Sequence, residues 1–523
     1  MKMKALSHPL VAIMGTTGVG KSQLAVELAL RLSSSLRRKT GIINADAMQT
    51  YSGLDIITNK ISAEEMRGVP HHLMGFKQPG DDITIAHWIR DAVGLIHSIH
   101  AEGGIPIVVG GTSYWLQHLL LQTKLPSLQT TAGSSLQGSG NIAVQMSDEL
   151  HAAISNLTKE ALELWEDLPE IAPANDDETS MRLHSLLVAL DPHMAERWHW
   201  RDARKVLRNL WVMKESGHTA TDLFWKQEQE GVPQPRFPSL VFWLYSRPEQ
   251  LEPRLDTRVD QMLKSGLLSE IVSMREIAAK LSTETGRDLQ TMYTSGIFQS
   301  IGFKEFEPYL SSTPPSPALF DEGVEATKHA TKGYAKGQIG WIRNKMMPGV
   351  LAAKAARGPI DVFVLDATDL EKWNDEVRDV AVDLSMKFIA GEPLPEPTSL
   401  SVVAEELLPT LKAAPSPLAI IARNRKVTCA ICTEFSHSLK QYTDGTEWEK
   451  HVRGRVHRNR KAAKARREDP EWIGNVKMRE RREARERADA EAKASESGTE
   501  GSGEEVGSHE VHEGELGEMF GNR

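Results

Sequence analysis

The sequence predicts an α/β fold: a parallel sheet with crossover helices, an inserted helical subdomain, and a small C-terminal Cys/His module. Three observations carry this. Over the first 120 residues, short apolar runs alternate with amphipathic stretches, the mark of strand–helix–strand units. From about 148 to 229 the pattern is helical throughout, including the Trp-rich HMAERWHWRDARKVLRNLWVM. Both cysteines of the chain, Cys429 and Cys432, form one C-x2-C pair, too close and too few for a disulfide framework, and so read as metal ligands.

In chain order, LVAIM at 10–14 reads as the first strand, and Leu24, Leu28 and Leu32 place an apolar stripe on the helix after it. GIIN and IPIVV are the next runs, the latter followed by the helical TSYWLQHLLL. Residues 122–141 turn to Ser, Gln, Thr and Gly and read as a loop or poorly ordered insertion. After the helical region, LVFWLY at 240–245 is a strand, RLDTRVDQMLKSG a helix, and DVFVLD at 361–366 a late strand. The Pro-rich stretch 392–417 reads as a linker. The expected division is a P-loop core over 1–121 and 231–395, a helical insert over 122–230, a linker over 396–424, a Cys/His module over 425–467, and a basic helix with an acidic tail over 468–523.

Of the 523 residues 40% are apolar, enough for a large core. The longest apolar runs fall well short of the roughly 18 residues that cross a bilayer, so no membrane span is expected. Nine residues ahead of the first strand leave little room for a signal or transit peptide, which favours cytosol or nucleus and leaves a mitochondrial pool open. The net charge of −9 conceals a division: residues 453–487 hold 14 Lys/Arg against 6 Asp/Glu, and residues 489–523 hold 10 acids against 2 bases.

Residues Gly15, Thr16, Thr17, Gly18, Val19, Gly20, Lys21 and Ser22 fit G-x4-G-K-[ST] between a strand and a helix. In such a loop backbone N–H groups and the helix N-terminus cradle phosphate, the lysine adds a point charge, and the serine hydroxyl can bind Mg2+. Asp46, just past the second run, should project from the carboxyl edge of the sheet beside this loop, as a metal ligand, a base or a turn-capping residue. Thr112 ends the third run after two glycines that permit close backbone approach, and reads equally as an ordinary turn threonine. On their own, Arg254, Asp256, Arg258 and Asp260 read as a solvated helix face.

Taken together, GTTGVGKS, INADAMQTYSGLDIITNK, PHHLMGF and IPIVVGGTSYWLQHLL, in this order, resemble the tRNA dimethylallyltransferase (tRNA isopentenyltransferase) family. The resemblance continues through DARKVLR, RLDTRVDQMLKSGLLSEI, GIFQSIGFKEF and YAKGQIGWI, spanning most of residues 10–395. It implies transfer of a dimethylallyl group from its pyrophosphate to N6 of the adenosine 3′ of the tRNA anticodon (adenosine-37), with Mg2+ and a flipped-out acceptor base. By that resemblance residues 15–22 hold pyrophosphate, and Asp46 is the general base. Asp46, Ala47, Met48 and Gln49 contact the target base, Thr112 lies beside the reacting groups, and Arg258 neutralises pyrophosphate. Arg204, Lys205, Val206, Leu207 and Arg208 match a tRNA-contacting segment, while His71 and His72 receive no catalytic role. Gly337 departs from the family's usual arginine, leaving Lys332 or Lys336 as substitute cations.

At the C-terminus, Cys429-x2-Cys432-x18-His451-x5-His457 offers two thiolates and two imidazoles, enough for a closed, structural Zn2+ site. The pattern resembles the finger appended to eukaryotic members of the same family. Arg453, Arg455, Arg458 and Arg460 suit phosphate contacts with tRNA, or a nuclear-localisation signal. The expected partners are the tRNA anticodon stem-loop and dimethylallyl pyrophosphate, met by a monomer. The competing readings are a prenyltransferase acting on free adenine nucleotide, a small-molecule P-loop kinase, and an inactive RNA-binding protein.

Overall fold

The computed structural model describes residues 6–81, 83–122, 146–169, 172–173, 176–229, 231–286, 296–412, 419, 423–436 and 438–496. The Ser/Gln-rich insertion from 123 and the acidic tail from 497 lie outside them. The chain forms two compact units, Met1–Arg423 and Asn424–Arg523. No described helix is long and apolar enough to cross a membrane.

The first unit is built on β1 (Leu10–Gly15), α1 (Lys21–Leu36), β2 (Thr40–Asn44), β3 (His71–His72), α2 (Ile85–Ala101), β4 (Ile105–Gly110) and α3 (Ser113–Leu120). The helical insert follows as α4 (Asp148–Ser155), α5 (Lys159–Glu166), α6 (Asp177–Leu190), α7 (Pro192–Ala195), α8 (Ala203–Ser216) and α9 (Ala220–Gln229). The sheet then resumes with β5 (Ser239–Tyr245), α10 (Pro248–Lys264), α11 (Leu267–Thr285), α12 (Glu307–Leu310), α13 (Pro317–Trp341), α14 (Met347–Ala355), β6 (Ile360–Asp366), α15 (Asp379–Ala390) and α16 (Val402–Leu407).

The six strands are parallel in the order β3-β2-β4-β1-β5-β6. Parallel strands are covered on both faces, which is why β1 and β4 are unbroken apolar runs buried along their whole length. The pleat still sorts them: Leu10, Ala12 and Met14 face a core that includes Trp88 and Trp115, while Val11 and Ile13 face Leu24, Leu28 and Leu32 of α1. The carboxyl ends of β1, β2 and β4 thereby deliver three loops to one edge of the sheet.

The insert has its own core of Leu150, Trp165, Leu183, Leu187, Val206, Leu210 and Met213. Its helix starts are set locally, since Ser147, Thr158 and Asp176 each accept a first-turn N–H. The stretch expected to be a linker differs in its described part. Residues 402–407 form α16, capped by Ser401, with Val403, Ala404 and Leu407 buried in the sheet core. Prolines surround this helix but do not enter it, so composition concealed a short apolar face.

The second unit contains β7 (Lys426–Thr428), α17 (Ala430–Glu434), β8 (Gln441–Thr443), α18 (Thr446–Arg453), α19 (Arg455–Glu468) and α20 (Ile473–Glu496). β7 and β8 pair antiparallel.

Candidate active site

The loop after β1 depends on glycine. Gly15, Gly18 and Gly20 have φ of 153°, 76° and 91°, and a Cβ on Gly15 would stand 2.4 Å from the Leu244 carbonyl oxygen. A Cβ on Gly20 would meet the Trp373 ring at 2.6 Å. The loop therefore packs too closely for side chains and presents backbone to its concave face. Val19 and Thr16 are buried, so each offers its backbone rather than its side chain to a ligand. Lys21 Nζ donates to the Thr16 carbonyl at 2.6 Å, curling back over the loop.

Asp46 sits where β2 ends. Buried Asn44 shapes this turn: its Oδ1 accepts the Asp46 N–H at 3.1 Å, and its Nδ2 donates to the carbonyls of Asp46 and Leu73, both at 3.0 Å. Trp88 Nε1 donates to the Asn44 carbonyl, and its ring stacks on Trp115 at 4.8 Å. Asp46 Oδ1 accepts the Met48 N–H at 3.1 Å, so the capping role is real. Its second oxygen turns the other way, towards Gly111.

The double glycine after β4 brings the two loops together. A Cβ on Gly110 would lie 2.1 Å from the Ala45 carbonyl oxygen, so only glycine lets this backbone pass. A Cβ on Gly111 would stand 2.8 Å from Gln338 Nε2, 3.1 Å from Asp46 Oδ2 and 3.8 Å from Lys21 Nζ. Base candidate, loop lysine and Gln338 thus border one point. Thr112 does not line the cavity; its Oγ1 accepts the Ala47 N–H at 3.0 Å and holds the peptide after Asp46.

These groups open into a cavity of about 350 Å³, within the range of roughly 300–1,000 Å³ usual for small-molecule sites. Apolar Met48, Ile57, Ile61, Met74, Val259 and Met262 line part of it. A second cavity of about 650 Å³ shares Asn59, Ile61, Met74, Arg258 and Met262 with the first. The common wall is a loop tied from outside the sheet: Glu270 of α11 accepts the N–H groups of Ile56 and Ile57 at 2.8–3.1 Å, and Gln49 Nε2 donates to the Thr58 and Asn59 carbonyls.

Burial dominates the electrostatics. It lowers Lys21 to about 8, against an opposing pull from Asp46, and lowers Arg258 to about 10. It raises the Asp46 carboxyl, against the attraction of Lys21, the Met48 and Gln49 N–H groups, and Arg258. All three groups are thus held closer to neutrality than in water.

The charged face expected on α10 is partnered rather than solvated. Arg254 donates to the carbonyls of Ala367 and Thr368, Asp256 pairs with Lys332 at 3.0 Å, and Asp260 pairs with Lys328 at 2.9 Å. Arg258 alone of the four lines the cavity. Lys332 is thereby committed to Asp256, Lys336 is exposed, and Gly337 faces open space.

Only part of the segment 204–208 is open to a ligand. On α8, Val206 and Leu207 are buried in the insert's core and cannot touch a ligand, because a helix turns two of five successive residues inward. Arg204, Lys205 and Arg208 remain exposed, with Lys205 Nζ 5.0 Å from the Trp198 ring centroid. Asn44, Tyr334 and Gln338 join the site without any motif to mark them. Tyr334 and Gln338 lie four residues apart in YAKGQ, the spacing of one helix face, and both line the cavity.

In the second unit, the ligand atoms of Cys429, Cys432, His451 and His457 all lie within 4.8 Å of one another. His457 Nδ1 is 3.4 Å and 3.7 Å from the two sulfurs and 3.2 Å from His451 Nε2. With Zn–S of about 2.3 Å and Zn–N of about 2.0–2.1 Å, a tetrahedron has edges of roughly 3.3–3.8 Å; the three His457 distances lie near that range, and a slight closure of the widest pair would let the four donors hold the ion. The long spacer, residues 433–450, holds the end of α17, all of β8 and the start of α18, and Gly454 separates the two histidine-bearing helices.

The IPP transferase family model matches residues 49–345. A tRNA dimethylallyltransferase of Schizosaccharomyces pombe is 36% identical over 388 residues, covering 74% of this chain and 80% of that one. The Homo sapiens protein of the same name is 32% identical over 485 residues, covering 90% and 89%. A solved structure of a eukaryotic dimethylallyltransferase acting on tRNA superposes with a TM-score of 0.64 at 28% identity, covering 88% of this chain and 98% of that one. By sequence over most of its length, and by a fold that brings the loop and the carboxylate to one cavity, this chain belongs to the IPP transferase family.

Proposed function

We propose that the protein transfers the dimethylallyl group of dimethylallyl pyrophosphate to N6 of the adenosine 3′ of the anticodon in tRNA. One observation carries this: a phosphate cradle and a carboxylate face each other at Gly111, in a cavity that adjoins a second one. The bond from the allylic carbon to the pyrophosphate oxygen breaks as N6 attacks, so negative charge builds on the leaving group. The N–H groups of residues 18–22, Lys21 and Arg258 are the donors that stabilise it. Ser22 would hold a Mg2+ on the same oxygens, which suits its hard oxygen donor and supplies further neutralisation.

Adenine N6 loses a proton on alkylation, and Asp46 Oδ2 accepts it. A carboxyl raised by burial is a stronger base than a solvated one, and Lys21 beside it favours the ionised form. Thr112 positions that peptide through Ala47, and residues 46–49 form the edge against which the flipped base lies. The apolar residues lining the cavity suit the prenyl chain. Arg204, Lys205 and Arg208 present cations to the RNA backbone.

The second unit binds Zn2+ through Cys429, Cys432, His451 and His457, which fixes two short strands to two helices. Arg453, Arg455 and Arg458 are exposed for tRNA phosphates, whereas Arg460 donates to the Cys432 carbonyl and braces the metal site. The test is incubation with labelled dimethylallyl pyrophosphate, Mg2+ and either unmodified tRNA, AMP or no acceptor. Label in tRNA, lost in Asp46→Ala, supports the reading; label in AMP alone, or RNA-independent ATP turnover, refutes it.

A further inference from the structure

We propose that Gln338 makes the phosphate cradle selective for a diphosphate, by filling the space that a third phosphoryl group would need. This rests on the donor reading above and deepens it. The loop motif itself is indifferent to chain length, since it serves nucleoside triphosphates in many proteins, with its lysine reaching the outer phosphates. Here the region beyond the helix N-terminus is bounded by the Thr17 N–H, by Lys21 Nζ and by the end of β4.

The carboxamide of Gln338 stands among these groups. Its Oε1 accepts the Thr17 N–H at 2.8 Å, its Nε2 donates to the Gly111 carbonyl at 3.0 Å, and the residue is 6% exposed. The position next to Gly111 that brings Nε2 within 2.8 Å also lies 3.1 Å from Asp46 Oδ2 and 3.8 Å from Lys21 Nζ. The side chain is held there by α13, which is pinned to α10 through Lys332–Asp256 and Lys328–Asp260.

A third phosphoryl group entering this region would expel an amide that makes two hydrogen bonds across the site. It would leave the Gly111 carbonyl facing phosphate oxygens, acceptor against acceptor, which costs the unmet hydrogen bond. It would also set new negative charge beside Asp46. Two phosphoryl groups meet none of these obstacles, because the side chain's two hydrogen bonds stop at Thr17 and leave residues 18–22 to the ligand.

The test is calorimetric binding of inorganic pyrophosphate and inorganic triphosphate, each with Mg2+, to the full chain. An open cationic site would prefer the more highly charged triphosphate. The unaltered protein should instead prefer pyrophosphate by about tenfold or more, the scale of one lost hydrogen bond. In Gln338→Ala that preference should shrink by about tenfold or invert, with pyrophosphate affinity changed little. Gln338→Glu keeps the volume and the acceptor for Thr17 but sets a carboxylate oxygen against the Gly111 carbonyl and beside Asp46, so it should bind both anions more weakly while still preferring pyrophosphate. Equal affinities in the unaltered protein, an unchanged ratio in Gln338→Ala, or loss of selectivity in Gln338→Glu would each overturn the proposal alone. Absence of any pyrophosphate binding would overturn the donor reading as well. Thermal melts of both variants establish that they are folded, and the ratio in the unaltered protein decides the matter if one is not.

Discussion

Raising the pH should weaken capture of the donor at a pH where a solvated lysine would still be fully charged. Burial places Lys21 at about 8, and only its charged form attracts phosphate. At pH 7 about nine in ten free enzyme molecules carry that charge and at pH 9 about one in ten, so kcat/KM for dimethylallyl pyrophosphate should fall roughly tenfold between them. A bound pyrophosphate adds negative charge beside the ammonium and raises its pKa, so the fall in kcat at saturating donor should begin at higher pH. Arg258, lowered to about 10, adds a second fall beyond that pH. The acid limb should lie above the ordinary carboxyl range, because the Asp46 carboxyl is raised and its protonated form cannot accept the N6 proton. The assay is the initial rate of label transfer to tRNA at low donor and fixed ionic strength, since exposed charges respond to salt. Lys21→Arg, whose guanidinium holds its proton to higher pH than an ammonium, should move the first alkaline limb upward. A flat kcat/KM from pH 7 to 9.5, or a limb that does not move in Lys21→Arg, would refute the assignment.

Asp46→Asn should lower transfer by about 10²-fold or more while leaving pyrophosphate binding measurable by calorimetry. Gly333→Ala and Gly337→Ala should each stabilise the fold by about 0.4–1 kcal/mol in urea titrations, because both positions are helical and an added Cβ meets open space. Trp88→Phe should cost about 1–3 kcal/mol by leaving the buried Asn44 carbonyl without its donor, and should lower activity through Asp46. Stripping metal with a strong chelator should melt the second unit by circular dichroism. If three phosphate contacts through Arg453, Arg455 and Arg458 are lost with it, the slope of log affinity for tRNA against log salt should fall by about 2.

The strands of the sheet were legible because burial on both faces leaves an unbroken apolar signature; the two-residue β3, His71–His72, has none and was missed as a strand. The loop and Asp46 were legible because each follows directly on a strand end, where topology alone directs it to the ligand edge. Gln338 was not, since it reaches Thr17 from 321 residues away and nothing near it in the chain marks that meeting. Segment-level resemblance carried Val206 and Leu207 into an RNA-facing role that helical periodicity already excluded. The same periodicity could have singled out Tyr334 and Gln338 as one face.

The rim that both cavities share takes its shape from two side chains outside the loop itself, Glu270 on the outer helical layer and Gln49 at the cavity edge. That shared wall is therefore drawn by residues that take no part in bond making. Substitutions on α11 that break the Glu270 contacts would therefore reshape the cavity rim while leaving the glycines and the carboxylate in place.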